Sequence, residues 1–197
     1  MLIPSVGVKQ PSIKRGSSPT QLEMVELEEH HVLATFRNVA IAVWVDDVRV
    51  EAVQRAQQMV GKLASSWSDD IAFVQVFGED VRYVDAPARQ ALNALLQSGS
   101  GAIRDAPVVY EGSGFGAAAM RAIITGLLVP RSYGFSHRVY SRVEDAALSI
   151  ARTMEKREPT RHARELCEAL ERIRERHERA FPTAPHSFIR YKSDSPL

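Results

Sequence analysis

The chain has little of what would commit it to a particular chemistry. It holds one cysteine, Cys167, in 197 residues, which excludes an intrachain disulfide and a cysteine-built zinc site. Cys167 stands between Leu166 and Glu168 with no fixed cation to activate it, so it reads as packing. Neither sign of charge is in excess: Lys+Arg 25 against Asp+Glu 24 leaves +1, which removes the global electrostatic reason to expect nucleic acid. No apolar run approaches the ~18 residues of a spanning helix. The opening stretch MLIPSVGVKQPSIKRGSSPT lacks the apolar centre of a secretory signal. A cytoplasmic protein without a membrane span is the expectation. The histidines (His30, His31, His137, His162, His177 and His186) contain no H-E-x-x-H pair, so no metal site is expected.

What is present is enough apolar residue for one well-buried domain, at 45% of the chain. Residues 1–20, rich in proline, glycine and serine, read as a flexible tail. Residues 22–37 alternate loosely around Glu28-Glu29-His30-His31, the pattern of a hairpin. Val39–Val45 is a near-continuous apolar run, as in a strand buried on both faces. Asp46 or Asp47 is placed to cap a helix from about Val48 to Ser65. Ile71–Phe77 is a further strand, and Pro87 sits in the first turn of a helix running to Gln97. After Ala106–Tyr110 come a glycine turn, a long apolar segment to Val129, and a short strand at His137–Tyr140. Ser141-Arg142-Val143-Glu144 has the spacing of a capping box ahead of another helix.

The order β-β-β-α-β-α-β-α-β-α predicts an α/β domain over residues 21–155, with a mixed, mainly parallel sheet and helices packed on it. A separate C-terminal amphipathic helix follows over 156–181. Its apolar seam is Ala163, Leu166, Leu170, Ile173, His177 and Ala180, and a homodimer through this helix is one expectation. Residues 182–197 read as a second tail, with Phe188, Ile189 and Tyr191 as anchors.

Gly112, Gly114 and Gly116 do not make a dinucleotide fingerprint, because the third glycine comes one residue early and no Walker lysine follows. G-S-G at 112–114 is also not the hydrolase elbow, whose glycines would fall on Glu111 and Phe115. A Ser113–His137–Asp145 triad can be written but nothing in the sequence brings those groups together. The plainer reading makes 112–114 a tight strand-to-helix turn with Ser113 as helix cap. Arg121, on the following helix, faces either a ligand or solvent. The acidic pairs Asp46-Asp47, Asp69-Asp70 and Glu79-Asp80 read as caps and solvated loops.

The run Val108-Val109-Tyr110-Glu111-Gly112-Ser113-Gly114-Phe115-Gly116 resembles the strand–D-S-S-G-L-G–helix signature of the STAS superfamily, the anti-sigma-factor antagonists and their relatives. Arg138–Ala147 resembles the last strand and helix of the SpoIIAA-like group. Glu111 through Arg121 is also similar to an E-G-x-G-F-x-A-A-x-x-R segment of myxobacterial proteins. The resemblance covers about residues 25–155. It implies a STAS-like fold and a non-enzymatic regulatory module that binds a protein partner through Glu111, Gly112, Ser113, Gly114, Phe115 and Arg121, with no cofactor. Gly112 stands where the antagonists carry their phosphorylated serine, so Ser113 is the remaining candidate for phosphorylation. The alternative is a small-ligand or lipid carrier of the same fold.

Overall fold

A computed structural model describes residues 22–67, 70–81, 83–99, 101–112, 117–118, 121, 134–154 and 158–182. Strands β1 (Leu22–Glu28), β2 (His31–Phe36) and β3 (Val39–Trp44) form an antiparallel meander. Helix α1 (Val50–Ser66) then crosses to β4 (Ile71–Phe77), which lies parallel to β3. Helix α2 (Ala86–Gly99) leads to β5 (Ile103–Asp105) and β6 (Val108–Tyr110), both parallel to β4. Strand β7 (Val139–Tyr140) adds beside β6, and helices α3 (Val143–Met154) and α4 (Pro159–Ala180) follow. The sheet order is β1-β2-β3-β4-β6-β7, with β5 on the amino half of β4. The fold is therefore α/β with a mixed sheet of seven strands and, among the described residues, four long helices.

Alternation along the central strands builds two cores. Ala40, Ala42 and Trp44 of β3, with Ile71, Phe73 and Phe77 of β4, face α1 and α2. Val39, Ile41 and Val43, with Ala72, Val74 and Val76, face α3 and α4. A strand between two helical layers has no solvated face, and this is why VAIAVW and IAFVQVF are nearly all apolar. Among the described residues no helix is long and apolar enough to cross a membrane.

Three local expectations change. The strand expected over Ala106–Tyr110 shortens to β6, and a separate strand, β5, precedes it: β5 pairs with the start of β4 and β6 with its end. Pro107 interrupts the ladder but its carbonyl still accepts from the Gln75 amide at 3.1 Å. Helix α1 begins after Arg49 and has no side-chain cap, because Asp46 is drawn to His30 instead. Helix α3 begins at Val143, and Glu144 accepts from Arg142 at 3.3 Å rather than closing a box on Ser141. The cap that does form was not expected: Asp85 accepts from the Ala88 amide at 2.7 Å and starts α2.

Helix α4 is part of the domain. Ala163, Leu166, Cys167, Leu170 and Ile173 fill the core on the α3 face of the sheet. The seam expected to offer a dimer surface is thus filled from within the same chain; Ala180 alone of that stripe is exposed. Polar anchors hold the helix at both ends. Arg37, in the two-residue turn between β2 and β3, donates to His162 Nδ1 at 3.1 Å and pairs with Glu165. His177, fully buried, donates from Nε2 to the Glu29 carbonyl at 2.8 Å.

Candidate functional site

The carboxyl ends of parallel strands are where α/β sheets present loops to ligands and partners. At that edge Trp44, Phe77 and Tyr110 are paired in register across β3, β4 and β6. His31 on β2 extends the row opposite Trp44, their rings 6.0 Å apart. All four side chains are buried and make a stiff floor. Tyr110 is fixed further by its hydroxyl, which donates to the Val81 carbonyl at 3.1 Å.

Glu111 leaves this floor on the opposite side. Its carboxylate is buried, and Oε1 accepts from Arg174 Nη2 at 2.6 Å. Arg174, equally buried, also donates to Glu171 at 2.9 Å. Burial pushes the Glu111 carboxyl up to about 6, against the pull of the Arg174 cation. The resemblance placed Glu111 among contact residues. The structure instead commits its carboxylate to α4, because a desolvated carboxylate requires a cation and α4 supplies it.

Gly112 comes next, and it has no room for a side chain. A Cβ there would stand 2.8 Å from the Ala117 Cβ and 2.8 Å from Tyr110 Cε1. The glycine is needed for close approach rather than for an unusual backbone angle. Arg121 reaches back from the following helix and donates to the Gly112 carbonyl at 3.1 Å and the Tyr110 carbonyl at 3.4 Å. Sequence alone left Arg121 between ligand and solvent; it binds the backbone of the turn itself. Ser113, Gly114 and Phe115 lie outside the described residues, as does most of the apolar segment up to Val129.

The other singled-out groups take separate positions. His30 Nδ1 lies 2.8 Å from Asp46 Oδ2, joining the β1–β2 turn to the end of β3. His31 Nε2 lies 3.0 Å from Glu26, which also pairs with Arg55 at 2.7 Å. Burial is the main influence on His31 and holds it below the usual imidazole range. His137 is lowered by burial too, and packs edge-on to Phe135. Asp145 is exposed on the first turn of α3. Asp70 pairs with Arg104 at 3.2 Å. Cys167 is buried and its thiol is pushed up to about 12, chiefly by burial. Among the described residues, no three His, Cys, Asp or Glu side chains gather as a metal site.

Sequence reasoning missed Arg174. The signal was there: it lies four residues after Leu170 and three before His177, so a charged residue shares the seam's face. The His30–Asp46 pair had no such signal, being brought together only by strand pairing across β2. No protein-family model, curated protein or solved structure matches this chain.

Proposed function

We propose that the protein is a non-enzymatic, STAS-like interaction module of the cytoplasm that regulates by binding a protein partner. The contact surface is the turn after β6, from Gly112 through Phe115, with Arg121 behind it. The observation that supports this reading most is the way the start of the turn is held. Tyr110 is pinned below, Gly112 is packed without space for a Cβ, and the carbonyls of both are bound by Arg121. A turn whose first residues are held from three sides starts from a fixed base, which lowers the ordering cost of association. Glu111 belongs to the support of this surface rather than to the surface. Ser113, if phosphorylated, would add a dianion to it and so alter partner choice.

The test is capture of partners by crosslinking from the native cell, followed by titration of the captured partner with purified protein. Phe115→Asp is expected to weaken binding at least tenfold, the effect of a lost apolar anchor with a charge in its place (about 1.4 kcal/mol or more). Binding that is unchanged by Phe115→Asp and by Ser113→Asp would remove the turn as the contact surface.

A further inference from the structure

Two histidines hold α4 near its ends, and they use their rings in opposite senses. Toward the carboxyl end, His177 Nε2 donates to the Glu29 carbonyl at 2.8 Å. Such a bond is kept whether the ring is neutral or charged, since the nitrogen carries a proton in both forms. Toward the amino end, His162 is the acceptor: its Nδ1 takes a hydrogen bond from Arg37 Nη1 at 3.1 Å. A guanidinium has donors only, so this bond exists only while Nδ1 is without a proton. His162 in the folded chain is therefore the neutral ring with its proton on Nε2. It is also buried.

The charges around this ring leave a second proton badly placed. Arg37 approaches from the turn between β2 and β3. It is held there by Glu165 and by the Phe36 ring, whose centroid lies 5.5 Å from the guanidinium carbon. Arg37 therefore stays where a charged imidazole would meet it. On α4 itself, Arg161 pairs with Glu158 and Glu165 at the surface. On β1 the titratable side chain at this end is Glu23, exposed and opposite Thr35. In the last turn of α3 it is Arg152, also exposed. Glu165 is the one half-buried carboxylate here, and Arg37 already engages it.

We propose that His162 and Arg37 form an acid-sensitive latch: a proton taken up at His162 Nδ1 breaks the bond to Arg37, sets two cations side by side, and frees the first turns of α4 while the rest of the helix stays docked. An imidazole in the unfolded chain gains its proton near pH ~6.5. The latched state excludes that proton. Its stabilisation is therefore fully present above this pH and is lost as pH falls below it. The hold further along α4 responds the other way. Glu111 gains its proton at about 6, and the folded state favours the protonated form. The His177 bond does not depend on the charge of its ring. Acidification thus acts on one end of α4.

Amide hydrogen exchange on the full-length chain, corrected for the intrinsic effect of pH, tests this at Ala163, Arg164, Glu165 and Leu166. Between about pH 7.5 and 5.5 their protection is expected to fall roughly tenfold, with that of Leu170 and Ile173 unchanged. His162→Asn, whose side-chain oxygen accepts from Arg37 and does not titrate, should abolish the step. Arg37→Met should abolish it too, with low protection at both pH values. The thermal transition of each variant reports whether the domain is intact. Equal protection of the wild type at both pH values would overturn the proposal, as would a step that survives in His162→Asn or in Arg37→Met. A step of the same size along the whole of α4 would overturn it as well, because acid would then be loosening the helix everywhere rather than at the latch.

Discussion

Glu111 is the residue in which the local forces are most nearly opposed. The Arg174 guanidinium favours its ionised form, yet burial dominates and holds the carboxyl at about 6 against an ordinary 4.5. The folded state therefore binds this proton more tightly than the unfolded chain does. Stability drawn from Glu111 is highest below pH 4.5 and falls as pH rises to about 6. The loss amounts to about 2 kcal/mol. Urea denaturation of wild type and Glu111→Gln across pH 4–7 should show the difference shifting by that amount in favour of the variant, then levelling above pH 6. A pH-independent difference would show that burial does not govern this group. One residue on, Gly112→Ala forces a methyl against Ala117 and Tyr110. It should cost about 1–3 kcal/mol, as overpacking does, measured as a lowered denaturation midpoint.

Helix α4 shows how an element's role depends on what its stripe meets. Its sequence has a narrow apolar seam in a field of arginine and glutamate, equally suited to a partner helix or to its own sheet. In the fold it lies on the sheet beside α3, with Leu170 and Ile173 among the most completely buried side chains. Leu170→Ala should therefore cost about 2–5 kcal/mol. A helix that merely joined two copies would leave monomer stability untouched, so the urea midpoint of the dilute protein distinguishes the roles. The anchors explain why the helix docks in one position. His162 and Arg174 meet Arg37 and Glu111, residues distant in sequence and set on different turns of the sheet. Arg37 keeps its place at a positive φ of 53°, unusual for a residue with a side chain. The two-residue turn between β2 and β3 favours that angle, and the contacts to His162 and Glu165 offset its strain.

For the whole molecule, the two cores share β3 and β4, so neither helical layer can leave without exposing strands that the other needs. Unfolding should be a single transition, with far-UV circular dichroism and tryptophan fluorescence changing together. Separate midpoints for the two signals would contradict this. Much of this plan was legible beforehand. The continuous apolar run of β3 placed it at the centre, and the β4 limits Ile71–Phe77 followed from the glycine and acidic residues beside them. The pause at Pro107 that divides β5 from β6 was not legible, because a three-residue strand containing Arg104 and Asp105 carries no alternation to read. Glu111, Gly112 and Arg121 were singled out by their place in the turn or after it, but what they touch was not legible: the acid faces inward and the arginine binds backbone. The sequence by itself determined most of the strands and helices, since periodicity and turn chemistry are local properties of the chain. Only the tertiary structure decided that α4 closes the domain and that Glu111 is met by Arg174. Those outcomes depend on which apolar face and which buried charge arrive at the same place, and no local pattern records it.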